Sequence, residues 1–244
     1  MAREPVHLEA KPGDIAENVV AVGDPGRAER LSNLLEAPRL VSKSRGFLVY
    51  TGLYRGVEVT IATHGVGAPS AAIVFEELAA LGAKTIVRLG TAGSLKPGLG
   101  LGDVVVAAGA GYYCGSAATS LYTSPAAMCL PATPDPELVS ALATRLRSLG
   151  GVNVEVAPVI TSDAFYAETP GLASRWRELG FAAVEMEVAI LYGLSWIRGF
   201  RSAAVLIISD TLWGESFGRI GREELFEREL QVGRAVLETL AERR

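Results

Sequence analysis

The segment 180–197, Gly-Phe-Ala-Ala-Val-Glu-Met-Glu-Val-Ala-Ile-Leu-Tyr-Gly-Leu-Ser-Trp-Ile, has only Glu185 and Glu187 as charged residues, with Met186 between them. Apolar residues flank both acids, so the segment belongs in a core, where an unpaired carboxylate is costly. Any fold of this chain must therefore bring partners to these acids from elsewhere, either basic side chains or the hydroxyls of a ligand. The pattern reads as a strand over 181–185 that turns directly into a helix from about Glu187. That places Met186 and Glu187 at the end of a strand, where open α/β sheets bind ligands. A buried ion pair that only holds the fold is the alternative. The concentration of buried carboxylates at functional sites favours the ligand.

Strand and helix patterns alternate along the rest of the chain. Residues 19–23 form an apolar run that ends in Gly-Asp-Pro-Gly-Arg, read as strand, turn and then helix over 26–35. Strands are predicted at 40–41, 47–53 and 57–63, with Tyr54-Arg55-Gly56 as the hairpin turn before the last. A helix over 68–81 stops at Gly82. A strand at 85–89 enters Gly-Thr-Ala-Gly-Ser, and another spans 103–108. Segment 109–130 has no charged residue and reads as a long functional or interfacial loop. Asp135-Pro136-Glu137 opens a helix that runs to 149. A strand at 154–161 and a helix at 172–179 follow. After the central segment come a strand at 203–209, ending in Ser209-Asp210, and a helix over 223–240. That helix sets Phe226, Leu230, Gly233, Leu237 and Leu240 on one face. This order predicts the α/β class: a single-domain α/β/α sandwich over 1–244 around a mixed, largely parallel central sheet.

Composition excludes several function classes. The 244 residues are 49% hydrophobic and 20% charged, which marks a globular chain with a substantial core. The net charge of −4 offers no basic surplus for nucleic acid. No uninterrupted apolar run reaches the roughly 18 residues of a membrane span, and residues 1–9 lack a signal-peptide core. The protein is expected in the cytoplasm. Cys114 and Cys129 are its only cysteines. Neither they nor His7 and His64 make a metal site. Free thiols are expected, with a disulfide in a hyperthermophile source.

Basic residues stand where an anion site needs them. Arg27 follows the Gly-Asp-Pro-Gly turn, whose backbone N–H groups can face an oxyanion. Arg88 lies inside an apolar strand, and Thr91 offers a hydroxyl in a Gly-rich turn just beyond it. Arg45 opens a strand. Guanidinium donors match phosphate in a forked geometry. The alternatives are a salt bridge from Arg88 to a buried acid such as Glu185, and solvent for Arg45. Neither 65–67 nor 98–102 completes a dinucleotide fingerprint. Ser209 has no obvious His to activate it.

Taken in order, Gly23-Asp-Pro-Gly-Arg27, Arg88-Leu-Gly-Thr-Ala-Gly93, Val184-Glu-Met-Glu187 and Ser209-Asp210 resemble the hexameric type of purine nucleoside phosphorylase. The similarity runs from about His7 to the terminal helix. The wider superfamily also holds uridine phosphorylases and methylthioadenosine nucleosidases. Ser162-Asp-Ala-Phe-Tyr-Ala167 is most similar to the archaeal branch with 5′-methylthioadenosine phosphorylases. The resemblance implies phosphorolysis of purine nucleosides (inosine, guanosine, adenosine, 5′-methylthioadenosine) to free base and (methylthio)ribose 1-phosphate. Inorganic phosphate is then a co-substrate, and no metal or organic cofactor is implied. Gly23, Arg27, Arg88 and Thr91 would hold phosphate, with Arg45 supplied by a neighbouring subunit. Glu187 would accept from the ribose hydroxyls with Met186 against the sugar, and Glu185 and Ser209 would join the nucleoside site. Phe165 would stack on the base, and His7 of a neighbour would reach the 5′ end. Asp210 would be the general acid at purine N7, with Arg222 or Arg219 as a helper. The loop over 211–222 would close with Trp213 and Phe217 as covers, or both would pack on the surface. A homo-hexamer, built as a trimer of dimers, is the implied assembly, with no nucleic-acid or membrane partner. Competing readings are a uridine phosphorylase, a methylthioadenosine nucleosidase-type hydrolase, and a nucleoside-binding protein, which would be expected to lose Asp210 or the arginines.

Overall fold

The structure, a computed structural model, describes residues 5–113, 131–213 and 218–243. Its strands are β1 (Asn18–Val22), β2 (Glu36–Ser42), β3 (Val49–Tyr54), β4 (Val57–Thr63), β5 (Thr85–Ser94), β6 (Val104–Tyr112), β7 (Val154–Thr161), β8 (Ala183–Glu185), β9 (Arg201–Thr211) and β10 (Gly218–Arg219). The helices are α1 (Pro25–Ser32), α2 (Ala68–Ala80), α3 (Pro136–Arg147), α4 (Pro170–Glu178), α5 (Val188–Arg198) and α6 (Arg222–Glu242). Much of the predicted loop at 109–130, with Cys114 and Cys129, lies outside the described residues. Its first residues extend β6. Among the described residues no helix is long and apolar enough to cross a membrane.

All the strands join one mixed sheet in the order β10-β9-β6-β7-β8-β5-β1-β4-β3-β2. β1 lies parallel between β4 and β5, β5 is parallel to β9, and β6, β7 and β8 run parallel. The β2-β3-β4 hairpins add an antiparallel wing. β9 pairs with both β5 and β6, so β5, β9, β6, β7 and β8 close into a ring that the sequence pattern did not announce. Opposite Ala92 and Gly93, β9 carries one extra residue, Ser209, a bulge within that ring. The strand expected at 85–89 continues to Ser94, because its ladder with β9 runs from Thr85 opposite Arg201 to Ser94 opposite Thr211. Thr91 therefore stands in a strand and not in a turn. Likewise β2 is longer than 40–41, because β3 supplies a full partner.

The two faces of the sheet carry separate cores, divided by the two-residue side-chain period of a strand. On β9, Ala204, Leu206 and Ile208 pack toward α2 and α5. The alternate Ala203, Val205 and Ile207 pack toward α1, α3 and α6. A smaller cluster holds Trp176 of α4 against Leu95, Ile160 and Val184. Full burial of each Leu, Ile or Val contributes about 1.5–3 kcal/mol. The sheet thus fixes which residues of β1, β5 and β9 can face a ligand only where the strands end.

Gly52 shows how tightly the wing is folded. Residues Ala37 and Pro38 bulge over it, with Ala37 at φ 47°. A Cβ on Gly52 would stand 2.9 Å from the Glu36 carbonyl oxygen and 3.1 Å from the Pro38 Cα, both backbone atoms. Gly52→Ala should therefore cost about 1–3 kcal/mol, read as a lowered thermal midpoint. An unchanged midpoint would mean that the β2 bulge moves aside freely.

Candidate active site

A cavity of about 380 Å³ opens where β1, β5, β8 and β9 end. It gathers Gly23, Arg27, Arg88, Thr91, Phe165, Glu185, Met186, Glu187, Ser209 and Asp210 from distant parts of the chain. A larger surface cleft between α3 and α6, lined by Glu137, Arg145 and Arg243 among others, holds none of these residues.

The floor of the cavity is ionic. Arg88 is buried, and its Nη2 donates to Glu187 Oε2 and lies 3.5 Å from Glu185 Oε2. Glu187 Oε1 also accepts from the Gly67 N–H at 2.6 Å. Glu185 has a different task. Its Oε2 accepts from the N–H groups of Glu187 (2.7 Å) and Val188 (2.9 Å), and Thr161 donates to its Oε1. It therefore caps the start of α5, as buried helix ends require. Burial raises the Glu185 carboxyl to about 7 against the pull of Arg88. For Glu187 burial is again the largest influence and pushes upward, but the Arg88 guanidinium, His64 and the Gly67 N–H together hold the group below its ordinary value. Arg88 has Nε and Nη1 without a partner among the described residues. Gly90 makes space for that guanidinium, which a side chain at this position would strike.

His64 sits beneath the pair, fully buried, with its ring 5.3 Å from that of Phe75. Neither ring nitrogen has a partner among the described residues. Burial first, and then the nearby Arg88 cation, push its pKa down to about 3, so the ring is neutral.

Arg27 is aimed by a residue from the far end of the chain. Its Nε donates to Glu229 Oε1 at 2.8 Å and its Nη1 to the Leu89 carbonyl at 3.2 Å. Glu229, on the buried face of α6, also receives Arg30 at 2.6 Å. Asp24 accepts from the Gly26 and Arg27 N–H groups at 3.1 and 2.9 Å. Those two N–H groups of the turn are thus spent on the N-cap, and an anion there depends on the Arg27 side chain.

At the other end, Ser209 Oγ donates to Asp210 Oδ1 at 2.7 Å. Asp210 lies opposite Gly93, whose missing side chain leaves room for its carboxylate. Phe165 is half exposed at the mouth, on the short turn Phe165–Ala167. Glu168, which ends that turn, also lines the cavity.

His7, Arg45 and Arg222 are not brought to this cavity. His7 Nδ1 meets Glu77 Oε1 at 2.7 Å near the chain's start. Arg45 is exposed, with φ 54°. Arg222 lies over Phe226 at 5.3 Å, whereas Arg219 stands opposite Asp210 in the β9–β10 ladder. Trp213 donates to Ser94 Oγ at 3.0 Å, and Phe217 lies outside the described residues. Sequence reading missed Glu229, His64 and Glu168. Glu229 had a signal, since its spacing from Val232, Gly233 and Val236 puts an acid on a buried helical face.

Residues 17–242 match the family described as the Phosphorylase superfamily. A guanosine phosphorylase of Halorubrum lacusprofundi is 34% identical over 242 residues, covering 98% of each chain. A uridine phosphorylase of Thermococcus kodakarensis is 33% identical, covering 89% of this chain and 81% of that protein. A DeoD-type purine nucleoside phosphorylase of Roseobacter denitrificans is 35% identical, covering 91% of this chain and 94% of its own. Among solved structures, the uridine phosphorylase of Vibrio fischeri ES114 superposes with a TM-score of 0.87 at 26% identity, over 98% of this chain and 97% of that one.

The neutral His64 gives a stability test with a definite sign. Unfolded, the ring titrates near 6.5, whereas folded it stays neutral down to about 3. The unfolded chain binds the extra proton between those values, so stability falls as pH falls through that window. His64→Gln cannot titrate. Between pH 7 and pH 5 the native chain should lose about 2 kcal/mol more than this variant, measured by urea unfolding. Equal losses would mean that the folded ring takes up the proton.

Proposed function

Because this chain belongs to the phosphorylase superfamily, we propose that it catalyses the phosphorolysis of purine nucleosides to free base and ribose 1-phosphate. Its relatives make it a nucleoside phosphorylase, a pentosyltransferase that acts on a nucleoside and phosphate. Inosine, guanosine, adenosine and 5′-methylthioadenosine are the substrates considered. The observation that carries the reading is Arg88, buried on the cavity floor with Nε and Nη1 unspent and Arg27 lining the same cavity. Two guanidinium groups in one cavity suit a dianion.

In this scheme phosphate rests on Arg27, Arg88 and Thr91 beside Gly23. Glu187 turns from Arg88 toward the ribose 2′- and 3′-hydroxyls, with Met186 against the sugar and Phe165 on the base. As the C1′–N9 bond breaks, its electron pair leaves with the purine and positive charge grows on the sugar. A phosphate oxygen attacks C1′ from the opposite face, which inverts the configuration. Asp210 donates its proton to N7, so the base leaves neutral. Phosphate supplies the nucleophile and Asp210 the proton, so the scheme calls for no cofactor. Glu185 and Ser209 hold Glu187's helix and Asp210 in place. Two observations support a purine: Asp210 suits protonation at N7, and segment 162–168 lacks the Gln and Arg of a pyrimidine site. His7 and Arg45 stand away from their own cavity, which supports an assembly in which they complete a neighbour's, the hexamer built from dimers.

Base release from inosine, guanosine, adenosine and uridine, with and without phosphate, tests the reading. Turnover is expected only with phosphate or arsenate and chiefly with purines. Equal rates without phosphate would assign a nucleosidase, and turnover of uridine alone a pyrimidine enzyme. Asp210→Asn should slow inosine by roughly 10²–10⁴-fold and largely spare 7-methylguanosine, which already carries positive charge at N7. Equal slowing of both would remove the acid role.

A further inference from the structure

Phosphate, as proposed above, rests on Arg27, and Glu229 is the residue that grips Arg27. Glu229 is the one charged side chain among the buried residues of α6, where Val232, Val236 and Leu240 share its face. A leucine or methionine would serve packing as well, because a buried ion pair gains little over apolar side chains of similar size. Both carboxylate oxygens are occupied. Oε1 accepts from Arg27 Nε at 2.8 Å, and Oε2 accepts from Arg30 Nε and Nη2 at 3.0 and 2.6 Å. Arg30 is itself fixed, with Nη2 on Asp24 Oδ2 at 3.1 Å and its guanidinium 3.8 Å from the centre of the Phe226 ring. Glu229 is thus held from behind while it holds Arg27 in front. With Nη1 on the Leu89 carbonyl, Arg27 has Nη2 left over among the described residues, and it lines the cavity.

Glu229 acts on an anion in two opposed ways. Its charge offsets one of the two arginines it touches, which lessens their attraction for phosphate. Its grip fixes a long side chain that phosphate would otherwise have to immobilise on binding. The first effect counts only while the cation stays at the cavity. Without Glu229 the Arg27 guanidinium keeps the Leu89 carbonyl alone, on a flexible stem, and the freed charge is no longer aimed. Grip therefore outweighs charge. We propose that Glu229 is a positioning residue for phosphate: it fixes Arg27 before the anion arrives, so α6, from the far end of the chain, sets the affinity of the phosphate site. This rests on the phosphorylase reading above.

The test compares the native enzyme, Glu229→Ala and Glu229→Gln in KM for phosphate, in KM for inosine at saturating phosphate and in kcat. Calorimetric titration of the nucleoside-free protein with inorganic phosphate accompanies it. Glu229→Ala should weaken phosphate, in KM and in titration, by roughly 3- to 30-fold, the cost of freezing an arginine on binding. KM for inosine should not change. Glu229→Gln keeps one oxygen for Arg27 Nε, but its amide nitrogen meets the Arg30 donors, so a smaller loss is expected. This variant carries the test if Glu229→Ala does not fold. A merely structural role would lower the thermal midpoint and the active fraction, and so kcat, at unchanged KM for phosphate. A double variant separates aiming from any direct effect: in the Arg27→Ala background, removing Glu229 should cause no further loss of phosphate binding. Unchanged or tighter phosphate binding in both Glu229 variants, equal rises in KM for both substrates, or the same loss with Arg27 absent would each overturn the role of Glu229. Those results leave phosphorolysis standing. Native enzyme that neither binds phosphate nor needs it for base release would instead overturn the reading beneath it.

Discussion

The buried contact between Arg88 and Glu187 joins the middle of β5 to the residue that begins α5, and the active end of the molecule is arranged around it. Removing either partner from such a pair typically costs about 3–5 kcal/mol, because the other charge is left stranded. Its consequences spread outward. Glu187 can face the cavity only because Glu185 has taken over the capping of α5. Glu185 can do so only because Thr161, at the end of β7, satisfies its second oxygen. His64 stays neutral first because it is buried, and the nearby Arg88 cation adds to the effect. Arg88 thus acts, alongside burial, on the protonation of His64, Glu185 and Glu187 alike.

The two acids that stand out in the sequence have diverged in role. They share one apolar segment and are separated only by Met186, yet Glu185 is taken up by two N–H groups at the start of α5 and by Thr161, and Glu187 by Arg88 and the Gly67 N–H. Alternation along a strand end explains part of this. The rest comes from the helix start, which needs an acceptor and takes the nearer carboxylate. Of the sequence alternatives for these acids the ion pair is formed, and both acids also line the cavity.

Much of this architecture was legible beforehand. Strands were predicted over 57–63 and 154–161, where β4 and β7 lie, Asp135-Pro136 marked the start of α3, and Arg88 inside an apolar strand demanded a partner. Glycines concealed the true length of β5, since Gly90 and Gly93 read as a turn when taken alone. Only the β9 ladder, formed by residues far along the chain, keeps them extended, and Arg88 and Asp210 then use the space they leave. The closure of the ring through β9 has no local signature, because it is a property of pairing and not of either strand. Glu168 was hidden for a similar reason. It belongs to an irregular turn, where no period separates inward from outward side chains.

The clamp on Arg27 has a consequence for the timing of assembly. Arg27 belongs to α1, near the start of the chain, and its partner Glu229 belongs to α6, the last of the described helices. A chain emerging from the ribosome forms its early strands and α1 first. Until α6 has emerged and docked, Arg27 has no carboxylate to aim it. The Arg27 end of the cavity is thus among the last parts of the molecule to mature, although its arginine is among the first to be made. An incomplete chain would carry the arginine without the means to orient it.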